Sequence, residues 1–280
     1  MILLTGATGF IGRHVVNALR ATGTPVLAVV RDARRASALL GNDGLDWVEC
    51  DLQTDPGPAV ARSRECQRII HLAWSGLPNY QGSFHLTTNL GADLKFLSAV
   101  AAEGVSQILV TGTCLEYGVQ NGPLREDDRT FPSTPYGLAK DTLRKSLEYL
   151  ALERGFVVQW VRLFYTFGQG QNPRSLLAQL DAAIDRGDAS FDMSGGEQLR
   201  DYLPAPEIGR IVAGLLDTPS CAGIINCSSG QPVSIRRLVE QWRMDRKSDI
   251  RFNFGHYSYP DYEPMAFWGI PEKLRAHGLL

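Results

Sequence analysis

The chain contains no apolar run near the ~20 residues that a membrane-spanning helix needs. It also lacks a dense Lys/Arg stripe: 28 basic residues stand against 30 acidic ones, a net charge of −2. A nucleic-acid or anionic-membrane partner is therefore not expected. Five cysteines (Cys50, Cys66, Cys114, Cys221 and Cys227) form no Cys-x-x-Cys spacing and are odd in number. They read as reduced core residues of a cytoplasmic protein. His14, His71, His85, His256 and His277 lack metal-ligand spacing, so no metal site is predicted. Internal repeats and low-complexity linkers are missing as well. The first strand is predicted to open at Ile2, which leaves no room for a signal peptide.

What the sequence does have is regular alternation. Ile2-Leu3-Leu4 ends at Thr5-Gly6 and has the length and composition of a buried parallel strand. The pattern then predicts helices near 9–21, 32–40, 57–64 and 83–103, and strands at 26–30, 45–49, 68–73, 108–111 and 157–161. Such alternation implies a parallel sheet with right-handed crossovers and helices on both faces. Beyond about residue 168 the pattern loosens, with helices near 174–187, 205–217 and 234–243, a short strand at 224–226 and an aromatic, Pro-rich tail over 252–268. The predicted fold class is α/β, a doubly wound parallel (Rossmann) sheet with a smaller mixed α/β carboxyl-terminal substrate portion. Residues 1–168 would form the dinucleotide-binding domain and 169–280 the substrate portion, with interleaving between them allowed.

Ligands of such sheets bind beyond the carboxyl ends of the strands, and two motifs fall there. Gly6-Ala7-Thr8-Gly9-Phe10-Ile11-Gly12 follows the first strand and opens a helix. Its glycines, three apart, suit a tight turn, close backbone approach to a pyrophosphate and close helix–strand packing. The helix start adds free N–H groups and partial positive charge. Tyr136 and Lys140 stand four apart in Pro135-Tyr136-Gly137-Leu138-Ala139-Lys140, so they share one helix face. An ammonium beside a phenol favours the phenolate and is expected to lower the Tyr136 pKa. Such a Tyr can exchange a proton with a carbonyl or alcohol oxygen. With a dinucleotide beside it, the pair predicts hydride transfer.

The cofactor's identity depends on the end of the second strand, where an acidic residue would bond the adenosine ribose and repel a 2′-phosphate. Here Val30 is followed by Arg31 and then Asp32, with Arg34 and Arg35 close behind. A guanidinium suits phosphate oxygens, so NADP (NADPH) is preferred, with NAD possible; the alternative is a solvated helix start capped by Asp32. Asp51-Leu52, after the third strand, is placed to contact the adenine, although Asp51 would serve equally as a cap.

Taken in order, several segments resemble the extended short-chain dehydrogenase/reductase superfamily, in its nucleotide-sugar epimerase, dehydratase and 4-ketoreductase branch. They are Gly6–Gly12, Asp51-Leu52, His71-Leu72-Ala73, Asn89, Thr111–Gly118, Tyr136/Lys140, Arg162-Leu163-Phe164-Tyr165 and Gln198-Leu199-Arg200-Asp201-Tyr202. The resemblance implies that Gly6, Thr8, Gly9, Phe10, Ile11, Gly12, Arg31, Asp51, Leu52, Leu72, Ala73, Tyr136 and Lys140 bind the cofactor. It implies catalysis by Thr113, Tyr136 and Lys140: Tyr136 as general acid/base, Thr113 on the reacting oxygen, Lys140 on the nicotinamide ribose. It further implies substrate contacts from Thr113, Tyr165 and Arg200, with Arg200 neutralising a diphosphate.

Departures from that pattern separate its branches. Dehydratases carry an Asp-Glu pair directly after the Ser/Thr, whereas this chain has Cys114 and Leu115. Cys114 is offset by one from the cysteine of the fucose-type epimerase-reductases and reads as packing. Tyr165 replaces a small amide. Trp74, Trp242 and the 257–268 segment are unranked candidates for shaping the sugar site. The resulting expectation is a cytoplasmic homodimer that reduces a nucleotide-diphosphate 4-keto-6-deoxyhexose with NADPH. A nucleotide-sugar 4-epimerase with tightly held NAD, a reductase of an unrelated small ketone or aldehyde, and a non-catalytic redox sensor stay open as alternatives.

Overall fold

The computed structural model of the chain describes residues 1–259 and 264–280; residues 260–263 of the aromatic tail lie outside the described residues. The chain runs β1 (Ile2–Thr5), α1 (Phe10–Ala21), β2 (Val26–Val30), α2 (Ala33–Leu40), β3 (Leu45–Glu49), α3 (Gly57–Ser63) and β4 (Arg68–His71). A π turn (His85–Asn89) leads into α4 (Leu90–Ala102), then β5 (Gln107–Thr113), a 3₁₀ turn (Cys114–Glu116), β6 (Gly122–Leu124), α5 (Pro135–Arg154) and β7 (Val157–Leu163). There follow β8 (Tyr165–Phe167), α6 (Leu176–Arg186), β9 (Ser190–Asp192), β10 (Leu199–Arg200), β11 (Tyr202–Pro204), α7 (Ala205–Leu216) and β12 (Gly223–Cys227). Last come β13 (Val233–Ser234), α8 (Ile235–Asp245), β14 (Arg251–Asn253), β15 (Phe267–Gly269) and α9 (Glu272–Ala276).

Seven strands form one parallel sheet in the order β12-β7-β5-β4-β1-β2-β3. Successive residues of a strand face opposite sides, and β1 shows the consequence. Ile2 and Leu4 pack with Val15, Val16 and Leu19 of α1 and Ile208, Ile211 and Val212 of α7. Leu3 packs on the other side with Phe96, Leu97 and Val100 of α4 and Leu143 and Leu147 of α5. Both faces are covered, which is why the strands read as continuous apolar runs.

The order reverses on either side of β1, between β1 and β4. That is the topological switch point, where such sheets open a crevice. The loops leaving β1, β4 and β5 therefore meet there.

Two elements differ from the sequence pattern. The predicted helix over 83–103 begins as a π turn, and α4 proper starts at Leu90. The wider turn carries two buried polar side chains, His85 and Asn89, whose bonds to a preceding loop compete with regular helix geometry. The strand near 224–226, read with the carboxyl-terminal portion, is the seventh strand of the main sheet beside β7. A smaller layer of α6, α8, β9 and β14 encloses its own core of Leu180, Met193, Ile235, Val239 and Ile250. Among the described residues, no helix is long and apolar enough to cross a membrane.

Candidate active site

The glycine run makes a cradle that side chains would fill. Gly6 has φ +76°, and a Cβ there would sit 2.7 Å from the Ala73 nitrogen; a Cβ on Gly12 would sit 2.0 Å from the Gly6 carbonyl oxygen. The turn can close only without them. α1 starts at Phe10 with Gly9 as its N-cap and no side chain capping it, so its first N–H groups point outward, as an anion site requires. Leu72 and Ala73 are brought against this turn: Leu72 N–H donates to the Thr5 carbonyl at 3.2 Å. Ala73 N–H donates to Thr5 Oγ1 at 3.2 Å. Behind them Thr5 Oγ1 bonds His71 Nδ1 at 2.9 Å, and His71 Nε2 bonds Asp93 at 3.0 Å. This buried relay braces the floor of the cradle. The donors and the space fit a dinucleotide pyrophosphate.

At the end of β2, Arg31, Arg34 and Arg35 are exposed. Asp32 caps α2, accepting from Arg35 N–H at 2.9 Å, so its carboxylate is committed to the helix. Asp51 caps no helix: it accepts from Gln53 N–H at 2.9 Å in a turn, and Pro56 is the N-cap of α3; Leu52 packs on the α4–α5 side of the core.

Thr113, Tyr136 and Lys140 come together at the carboxyl end of β5. Thr134 caps α5, accepting from Gly137 N–H at 3.0 Å, and Pro135 takes the first turn. Gly137 lets the helix press on the 3₁₀ turn, because a Cβ there would lie 2.6 Å from the Leu115 carbonyl oxygen. That contact sets Tyr136 against Thr113. Thr113 Oγ1 accepts from Leu115 N–H at 3.2 Å, and its hydroxyl faces Tyr136.

The protein groups alone do not lower the Tyr136 pKa, contrary to the expectation from spacing. Burial pushes it well above the ordinary phenol range, with Tyr80, Glu116 and Cys114 adding to the rise, and the polar Thr113 hydroxyl opposes them. Lys140 is itself buried, which brings its amine down to about 8 against the pull of Asp93 and Glu116. Spacing revealed which face the two residues share; it could not reveal how dry that face is.

Glu116 is a site residue that the sequence reading missed. It is fully buried, accepts from Thr113 N–H at 2.8 Å and Trp160 Nε1–H at 2.9 Å, and pairs with Arg162 Nε at 2.8 Å. The signal was present: Thr113-x-x-Glu116 has capping-box spacing, and both reciprocal bonds form. Cys114 packs with Tyr117, Leu124, Phe164 and Phe267. Tyr165 and Arg200 are also brought together. The Arg200 guanidinium lies 5.5 Å from the Tyr165 ring centroid and 4.7 Å from that of Phe267. Arg200 is 1% exposed, and its Nη1 donates to the Leu199 carbonyl at 2.9 Å. Asp201 accepts from Ser229 and Gly230 N–H, and Glu197 pairs with Arg236. Trp242 sits in the smaller layer, donating to Asp181 at 2.8 Å. Trp74 lies against Lys140 and Tyr136. Among the described residues, no three His, Cys, Asp or Glu side chains are grouped to hold a metal ion.

A parallel sheet with a glycine cradle at its switch point and a Thr–Tyr–Lys set beside it defines a nicotinamide-dependent enzyme of the extended short-chain dehydrogenase/reductase class. The chain matches the model of the NAD dependent epimerase/dehydratase family over residues 2–227 and belongs to that family. It is 29% identical over 271 residues to dTDP-6-deoxy-L-talose 4-dehydrogenase (NAD(+)) of Aggregatibacter actinomycetemcomitans, spanning 96% of this chain and 98% of that one. It is 22% identical to dTDP-4-dehydro-6-deoxyglucose reductase of Escherichia coli, over 90% of this chain and 84% of that protein. The solved structure of MoeE5 in complex with UDP-glucuronic acid and NAD superposes with a TM-score of 0.81 at 25% identity, covering 99% of this chain and 92% of that one.

Proposed function

We propose that the protein reduces the keto group of a nucleotide-diphosphate 4-keto-6-deoxyhexose, using NADPH. One observation carries the choice among branches: Thr113, whose hydroxyl faces Tyr136, is followed by Cys114 and Leu115. Without carboxylates at those positions there is no base and acid for eliminating water. The likeness to a sugar 4-dehydrogenase, whose reaction run backwards is a 4-keto reduction, supports the same assignment.

The Gly6–Gly12 cradle would hold the cofactor's pyrophosphate, and the bound cofactor would supply the hydride. Tyr136 would give its phenolic proton to the emerging alkoxide, and burial keeps that proton in place until it is needed. Thr113 would hold the same oxygen, so that both donors meet charge as it develops. Lys140 would hold the nicotinamide ribose, and Tyr165 and Arg200 would face the sugar nucleotide. The assay that tests this follows NADPH consumption and product with a nucleotide-linked 4-keto-6-deoxyhexose. Interconversion of 4-epimers without net NADPH use would point instead to a 4-epimerase, which could use the same three residues.

Arg31 stands exposed where an acid would select NAD. NADPH is expected to bind at least ~10-fold tighter than NADH, about 1.4 kcal/mol. Arg31→Asp should reverse that order by repelling the 2′-phosphate. Fluorescence titrations giving equal affinities would remove the NADP assignment.

Arg200→Met keeps an apolar stem against Phe267 while deleting the charge. If Arg200 grips the diphosphate, the substrate KM should rise at least ~10-fold, since a hydrogen bond to a charged group is worth ~1.5–3 kcal/mol. kcat should change less, and NADPH affinity should not change. An unchanged KM in the folded variant would favour the small-ketone reading, whose substrate carries no anion.

A further inference from the structure

Trp74 follows His71-Leu72-Ala73 directly, in the loop that joins β4 to the π turn. Its indole centroid lies 4.0 Å from Lys140 Nζ, whereas the other tryptophan near that amine, Trp160, is 5.8 Å away. Its edge meets the Tyr136 ring at a centroid distance of 5.8 Å. One side chain thus touches both members of the Tyr–Lys pair.

The indole is anchored. Trp74 Nε1–H donates to His85 Nδ1 at 2.9 Å, and His85 Nε2 bonds the Asn79 carbonyl at 2.7 Å. Only the neutral Nε2–H tautomer of His85 satisfies both bonds, accepting at one nitrogen and donating from the other. The Trp74 and His85 rings lie side by side, centroids 6.0 Å apart with 22° between their planes, as an in-plane N–H···N bond requires. The loop is tied at two further points. Asn89 Nδ2–H donates to the Ser75 carbonyl at 2.9 Å, and Tyr136 N–H donates to the Tyr80 carbonyl at 3.2 Å.

We propose that Trp74 is a positioning residue whose indole face carries the Lys140 ammonium beside Tyr136, with His85 locking the indole in that pose. The inference rests on the role given to Lys140 above. Lys140 is 1% exposed, and burial works against its charge. The carboxylates that face it are both engaged: Asp93 of α4 bonds His71, and Glu116 bonds Arg162, Thr113 and Trp160. The other ionisable groups around the pair are Tyr136 itself, Tyr80 stacked on it at 5.7 Å, Cys114 and His85. None of these supplies a negative charge while protonated or neutral. Asp93 and Glu116 keep their charges and still pull on the ammonium, while the negative face of the indole quadrupole lies directly against it at 4.0 Å, within the range of cation–π attraction.

The chain has five lysines (Lys95, Lys140, Lys145, Lys247 and Lys273), so ε-¹³C-lysine NMR of the protein without added ligand can follow each one. Lys140→Arg assigns the resonance. Trp74→Leu keeps apolar volume but removes the π face, and the Lys140 titration midpoint should fall by about one unit or more. Trp74→Phe keeps a π face and should hold the midpoint near that of the parent. His85→Leu frees the indole and should lower the midpoint in the same direction as Trp74→Leu. An unmoved or raised midpoint in Trp74→Leu overturns the carrying role, and an unmoved one in His85→Leu overturns the lock. A cooperative urea unfolding transition like that of the parent shows that each variant is folded. In turnover, the alkaline limb of kcat should move with the midpoint; a loss of kcat equal at every pH would mean packing alone and would also overturn the proposal. Because the titration needs no substrate, it stands even where the assigned sugar proves wrong.

Discussion

Tyr136→Phe is expected to fold like the parent, bind NADPH as tightly, and lose ketoreduction by ~10²–10⁴-fold, the usual worth of a positioned general acid. The ring does the packing at this position: it stacks on Tyr80 and meets the Trp74 and His85 rings. Phenylalanine keeps those contacts. What it deletes is the hydroxyl that faces Thr113 and would protonate the alkoxide. Burial raises the Tyr136 pKa, so the phenol stays protonated at working pH, which is the form a reductase needs. The reverse oxidation would require the phenolate and should gain from alkaline conditions. Steady-state NADPH consumption and a cofactor titration separate the two contributions. Turnover within a few-fold of the parent, with normal NADPH affinity, would take Tyr136 out of the chemistry.

The parts of this design that were legible in the sequence are the local ones. Ile2-Leu3-Leu4 and Val26–Val30 are buried on both faces, so their apolar runs report the sheet directly. Gly6 and Gly12 are required by contacts within a few residues of chain, apart from the approach of Ala73. Tyr136 and Lys140 share a face because helix periodicity puts them there. What was hidden depends on segments far apart. β12 pairs with β7 across about 60 intervening residues, roughly the scale at which local pattern carries no pairing information, although both strands were recognisable individually. The dryness around Tyr136 comes from Trp74, Tyr80 and His85, which belong to a loop more than fifty positions upstream. Asp32 shows a further ambiguity: the same carboxylate could serve a ribose or a helix, and its bond to Arg35 N–H gives it to the helix.

Glu116→Ala should cost ~3–5 kcal/mol of folding stability, the range for removing one partner of a buried ion pair. Glu116 and Arg162 are each fully buried and meet at 2.8 Å. Burial works against the Arg162 charge, and Glu116 and Tyr117 more than offset it, so that its pKa ends above the ordinary guanidinium value. Deleting the carboxylate would leave a guanidinium in the core, stacked on the Tyr117 ring at 4.3 Å, with its main counter-charge gone. It would also strip the acceptor from Trp160 Nε1–H and from Thr113 N–H. The last loss reaches the active site, because the Glu116 bond holds the end of β5 where Thr113 faces Tyr136. The double variant Glu116→Ala, Arg162→Met removes both charges and should recover much of the stability, since an apolar replacement of a whole buried pair is often neutral or better. It should not recover full turnover, because Thr113 remains without its brace. Urea denaturation of the single and double variants measures the first effect, and kcat of the folded double variant measures the second. A single variant within ~1 kcal/mol of the parent would mean that the Glu116–Arg162 pair contributes no more than an exposed one, and a fully active double variant would free Thr113 from any dependence on it.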